Sequence, residues 1–104
     1  MTKKRLFQIE KRIEKIKVEL AGVGEMRPGS LTPQYKDRAR QAGPYYQLSY
    51  THEMKSRTNY IRKNCVGEVR QQIKNYKRFK KLTTEWVSLG IEHSTLSMKL
   101  HKNG

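Results

Sequence analysis

Apolar residues return along the first twenty positions in alternating steps of three and four: Leu6, Ile9, Ile13, Ile16 and Leu20. That spacing places them on one face of a helix, an a/d seam two heptads long, flanked mostly by Lys, Arg, Glu and Gln. It predicts a helix over residues 2–21, stopped by Gly22 and Gly24. A second stripe of mixed three and four spacing runs through Val69, Ile73, Tyr76, Phe79, Leu82, Trp86, Leu89, Leu96 and Leu100. It predicts a longer helix over 64–101, with Asn64 as its N-cap and Gly90 as the place to kink or split it. Each seam is too hydrophobic to leave in water, and the segment between them is long enough to reverse direction. The two helices are therefore expected to pack antiparallel within one chain, in preference to a homodimeric coiled coil.

Between the helices the period changes from 3.6 to 2. Tyr46, Leu48 and Tyr50 alternate with Tyr45, Gln47, Ser49 and Thr51, and a second strand runs from Ser56 to Ile61 after a turn at His52-Glu53-Met54-Lys55. This is a β-hairpin over 45–61. With Thr51 facing Ser56, Tyr46 faces Ile61, Leu48 faces Asn59 and Tyr50 faces Arg57. Those pairs make one mostly apolar face. Gln47 opposite Tyr60, Ser49 opposite Thr58 and Thr51 opposite Ser56 make a polar one. Residues 22–44 carry loop chemistry in Gly22, Gly24, Pro28, Gly29, Pro33, Gly43 and Pro44. Around Pro33, Ser30-Leu31-Thr32 and Gln34-Tyr35-Lys36 read as a short strand confined to a sheet edge. A lone hairpin is marginal in water, so something must support it. The expected architecture is α+β: an antiparallel helical pair with an inserted two- or three-stranded antiparallel sheet, a single domain over 1–104.

Charge changes the picture from scaffold to surface. The chain of 104 residues holds 23 Lys and Arg against 9 Asp and Glu, a net charge of +14. The excess is even: 7 basic and 3 acidic residues over 1–24, 8 and 3 over 25–65, and 8 and 3 over 66–104. The body itself is positive, and such a body concentrates polyanions, nucleic acid foremost. An acidic protein or an anionic membrane would answer the same electrostatics, but no apolar run approaches the length of a transmembrane helix. Glu10, Glu14 and Glu19 interrupt any leader pattern, so the expected location is cytoplasmic.

Catalytic chemistry finds little footing. Cys65 is the one cysteine, and His52, His93 and His101 are too scattered for metal-ligand spacing. His93 falls on the apolar stripe, where a packed, hydrogen-bonded ring is expected. Gly22-Val23-Gly24 is a helix stop with no Lys-Ser/Thr after it, not a phosphate loop. No enzyme, no metal and no cofactor are expected. Binding chemistry is better supplied. Arg70, Lys74, Lys77 and Lys81, with Arg78 alongside, form a basic ridge on the long helix, and no acid interrupts Val69 to Thr84. Arg38 and Arg40 add a basic loop. Gln47, Ser49, Thr51, Lys55, Arg57 and Thr58 give the hairpin groups suited to phosphates and base edges.

Three stretches also carry a family likeness: Arg27-Pro28-Gly29-Ser30-Leu31, Gly43-Pro44-Tyr45-Tyr46-Gln47-Leu48-Ser49-Tyr50, and Val69-Arg70 through Asn75-Tyr76-Lys77-Arg78-Phe79. Together, over residues 26–90, they resemble a family of small, uncharacterised prokaryotic proteins often found near transposases. Members typically carry a cysteine cluster between the two glycine-proline motifs. This chain has Lys36-Asp37-Arg38-Ala39-Arg40-Gln41 there, without a thiol. The resemblance implies an accessory or regulatory protein of a mobile element. The expected function is binding of nucleic acid, with double-stranded DNA preferred. RNA is the nearest alternative, with Tyr45, Tyr46 or Tyr60 stacking on unpaired bases. A helical subunit docking on a larger protein is the alternative from another class. Either a monomer or a homodimer fits the sequence.

Overall fold

The structure, a computed structural model, describes residues 2–35 and 45–103, with side chains through His101. Its elements follow the periodicities in order: α1 (Thr2–Ala21), β1 (Ser30–Gln34), β2 (Tyr45–His52), β3 (Lys55–Ile61), a 3₁₀ turn (Lys63–Cys65) and α2 (Val66–Asn103). The arrangement is α+β. Two units are distinguishable, one of Met1–Val23 with Arg78–Gly104 and one of Gly24–Lys77. The first is the helical unit and the second the sheet unit. α2 contributes to both and is unbroken through Gly90.

In the helical unit α1 and the later part of α2 form an antiparallel pair. Ile9 and Ile16 are completely buried and Leu82 nearly so. The flanking contacts keep a heptad step on both helices. Arg5 meets Glu92 and, seven residues on, Arg12 meets Glu85, each through two N–H···O bonds of 2.6 and 2.9 Å. On the other flank Glu10 bonds His93 at 3.0 Å, and seven residues on the Lys17 ammonium lies 5.7 Å from the Trp86 ring centroid. One sequence step of +7 on α1 matches −7 on α2, as an antiparallel coiled-coil seam requires. α1 has no acid in its first turn and no base in its last. With the macrodipole uncompensated, its stability rests on this packing. It ends in a tightened turn, where the Gly22 and Val23 N–H groups donate to the carbonyls of Glu19 and Leu20.

In the sheet unit the strands are ordered β1-β2-β3, all antiparallel. The hairpin register is the expected one, from Tyr46 opposite Ile61 to Thr51 opposite Ser56. β1 pairs Ser30 to Gln34 with Ser49 to Tyr45, and Pro33 lies on this edge strand, where its missing N–H does least harm. Leu48, with no exposed surface, packs with Val69 and Ile73 of α2, and Leu31, Tyr50 and Ile61 close around them. The segment before β1 is tied to the same stretch of helix. The Arg27 N–H donates to the Gln72 carbonyl at 3.2 Å, and the Asn75 amide donates to the Glu25 carbonyl at 2.8 Å.

Two details depart from expectation. Asn64 does not cap α2; it sits inside the 3₁₀ turn, where the Cys65 N–H donates to the Arg62 carbonyl at 2.9 Å. The tighter turn satisfies that donor with backbone, so no side-chain cap is needed there. The hairpin turn is two residues long, with Glu53 at φ 51° and Met54 at φ 65°. Such a turn follows the strand twist but asks two L-residues to enter the left-handed region, at roughly 1–2 kcal/mol each.

Gly29 is fixed by its surroundings. Its φ is +143°, and a Cβ there would stand 2.5 Å from Leu48 Cδ1 and 3.3 Å from the Ser49 carbonyl oxygen. Gly29→Ala is expected to destabilise the protein by about 1–3 kcal/mol in urea unfolding. Gly90→Ala, whose Cβ meets nothing within 4 Å, is expected to add about 0.5–1 kcal/mol.

The arginine pairs give the helical unit an acid limit. Hydrogen bonds from Arg12 and Arg5 hold the carboxyls of Glu85 and Glu92 below their ordinary 4.5. Depressed carboxylates stabilise the fold above the ordinary value and lose that contribution as pH falls through the lowered one. The melting temperature should therefore drop on acidification below about pH 4.5, and Glu85→Gln with Glu92→Gln should flatten this limb.

Candidate nucleic-acid interface

Direct pairing puts opposite side chains on the same face of a sheet, so the register sorts the candidates. Gln47, Ser49, Thr51 and Thr58 share one face with Ser56 and Tyr60. β1 widens it with Ser30, Thr32 and Gln34, which pair with Ser49, Gln47 and Tyr45. Among the described residues this face is made of hydroxyls, amides and two tyrosines, without a charged residue. Across it Thr51 Oγ1 and Ser56 Oγ lie 3.3 Å apart, and the rings of Tyr45 and Tyr60 meet edge-to-face at 5.4 Å between centroids. Tyr60 is 70% exposed.

The cations are on the opposite face. Lys55 pairs with His52 and Arg57 with Tyr50, on the side where Leu48 meets α2. On that side the Arg27 guanidinium lies 4.8 Å from the Tyr50 ring centroid, and the Arg70 guanidinium 5.7 Å from that of Tyr46. Tyr46 is thereby separated from Tyr45 and Tyr60. The hairpin residues that the sequence groups together form two surfaces, one neutral and one cationic.

The helix cations find a place beside β1. Arg70, Lys74 and Lys77 line a cleft of about 290 Å³ with Gly29, Ser30, Leu31 and Ile73. Among the described residues no carboxylate lines it. The i, i+4, i+7 spacing brings three positive groups to one rim, and the close approach of Gly29 to Leu48 brings β1 to the other. Such a cleft holds positive charge beside backbone and hydroxyl groups, which suits a phosphate chain. Arg78 and Lys81 are exposed on the part of α2 in the helical unit. Arg38 and Arg40 lie outside the described residues.

Two features of the site go beyond the sequence expectation: the polar contribution of β1 and the pairing of Tyr45 with Tyr60. The alternation Ser30, Thr32, Gln34 carried the first. The second depends on a diagonal contact across strands, which no local pattern carries. Among the described residues no helix is long and apolar enough to cross a membrane.

Residues 6–71 match the family described as a domain of unknown function, DUF6788, and the chain belongs to it. The match begins in the α1 seam, well before the segment whose motifs carried the resemblance, and ends in α2 just past Arg70. No curated protein and no solved structure shows a significant match.

No residue of the neutral face belongs to the buried core among the described residues. Gln47→Ala with Thr58→Ala is expected to shift unfolding by within about 0.5 kcal/mol, measured by urea titration.

Proposed function

We propose that this family member binds nucleic acid, double-stranded DNA in preference, without catalysing a reaction on it. The observation that carries the reading is the cleft of Arg70, Lys74 and Lys77, three cations with no carboxylate among the described lining residues, in a sequence stretch that has no acid from Val69 to Thr84. Elsewhere in the chain arginines meet carboxylates: Arg5 has Glu92 and Arg12 has Glu85. Unneutralised charge at one place and paired charge at another are what an anion-binding surface on a stable scaffold looks like. In this mechanism Arg70, Lys74 and Lys77 hold phosphates, with Arg78, Lys81, Arg38 and Arg40 adding to the field. The hairpin approaches a groove, presenting Lys55 and Arg57 to the backbone and Gln47, Ser49, Thr51 and Thr58 to base edges. The role we infer in the cell is that of an accessory protein of a mobile element, acting in the cytoplasm.

A second reading rests on Tyr45 and Tyr60. An exposed aromatic pair on a polar sheet is a platform for unpaired bases, and it favours single-stranded RNA or DNA.

Salt titration on duplex, single-stranded DNA and RNA separates these readings. With five or six phosphates neutralised, log affinity for duplex DNA should fall with log salt at a slope of about −5. Lys74→Ala with Lys77→Ala should make the slope shallower by about two and weaken all sequences alike. Gln47→Ala with Thr58→Ala should leave the slope in place and reduce discrimination between duplex sequences. Tight binding to single strands that Tyr60→Ala abolishes would replace the duplex reading, and affinity indifferent to salt would favour a protein partner.

A further inference from the structure

The tip of the β2–β3 hairpin combines three features that a simple chain reversal does not need. First, it projects. β1 accompanies β2 no further than Ser30 opposite Ser49, so from Tyr50 to Arg57 the two strands pair with each other alone. Every residue from Thr51 to Tyr60 is exposed. At about 3.3 Å per residue this arm extends roughly 10 Å past the last β1 pair. Second, the turn is strained. Positions that favour Asn-Gly are held by Glu53 and Met54, at φ 51° and 65°. Third, the residue at the tip is apolar. Met54 is 98% exposed, more than any other large apolar side chain among the described residues.

A turn chosen for stability would have glycine here, and one chosen for solubility would have lysine. A strained turn that holds an unbranched, polarisable side chain in water is the kind of outlier from which a use outside the fold is inferred. We propose that Met54 is an intercalating wedge: the arm enters a groove of duplex DNA and the Met54 thioether inserts between adjacent base pairs, unstacking them and bending the duplex. The inference rests on the duplex-binding reading above and assigns its point of deformation.

The surrounding charges fit. His52 and Lys55 sit side by side at the base of the turn, and Arg57 follows two residues down the same face, so donors stand on one side of the tip where a phosphate wall would be. Glu53 is the acid at the tip, its carboxylate 3.5 Å from His52 Nε2. Its charge keeps it from phosphates and leaves Met54 as the tip residue that meets bases. Apolar side chains enter most readily at pyrimidine–purine steps, which unstack at least cost, so the expected preference is for TA or CA/TG steps. A lipid surface is a poorer fit, because one thioether buries too little apolar area to hold a protein there.

The test uses the full chain and a duplex of about 30 base pairs, with 2-aminopurine beside a central TA step and a fluorescence-transfer pair on its ends. Binding should raise both 2-aminopurine emission and end-to-end transfer. Met54→Ala should bind within about threefold at an unchanged salt slope, yet lose most of both signals. Met54→Leu, which restores an apolar wedge, should recover them. The inference is overturned if the unaltered chain binds duplex without either signal, or if Met54→Ala retains both. Failure of the unaltered chain to bind duplex at all would remove the DNA reading itself. Recruitment to anionic vesicles that Met54→Ala abolishes, with duplex signals unaffected, would assign the tip to a membrane instead.

Discussion

The burial of Leu48 against Val69 and Ile73 is the contact on which the sheet unit depends. A sheet of three short strands has one face to spend on a core, and here that face holds a single side chain with no exposed surface. Neighbouring positions are set by it. Gly29 has no side chain because Leu48 occupies the space a Cβ would take. The register follows as well, since a slip by one residue would turn Leu48 to water and Gln47 or Ser49 to the helix. A core this small leaves the other face to solvent, and that freedom lets the face be uniformly polar.

The helical unit solves a different problem by different means. Its seam is buried by geometry that repeats every seven residues, and one flank is closed by Arg–Glu pairs in two-pronged contact. These pairs are partly exposed and screened by salt, so their main effect is to fix the register and direction of the two helices. They also dispose of charge. The carboxylates of Glu85 and Glu92 are used within the fold, whereas the helix residues from Val69 to Lys77 have none to use. The same helix thus changes character along its length, from a partner of the sheet with unneutralised cations to half of an ion-paired coil.

On the proposed reading the two surfaces of the hairpin divide the work. The cationic side and the Arg70–Lys74–Lys77 cleft address phosphates, the neutral side addresses bases, and the exposed tip deforms the duplex. Affinity and discrimination then reside in different side chains. Salt dependence and sequence preference can therefore be altered separately, as phosphate and base contacts usually can.

The extent of α1, the hairpin register and the edge position of Pro33 were legible in the sequence, because each follows from a period or a backbone constraint acting over a few residues. So was the pairing of the two seams in one chain, since neither can remain in water. Other features needed the tertiary structure. The replacement of the Asn64 cap by a 3₁₀ turn depends on how the chain enters α2 from Ile61. The separation of Lys55 and Arg57 from Gln47 and Thr58, by contrast, is already contained in the expected register, which pairs Arg57 with Tyr50. The Tyr45–Tyr60 contact is diagonal and the Arg70 cleft needs β1 beside α2, so both join residues far apart in the chain. The role of Gly29 is of the same kind: its φ and its contact with Leu48 exist only when the strands have met. Sequence determines what each segment prefers when its own neighbours decide. Tertiary structure decides which of those segments share a surface, because that depends on which single face each can bury.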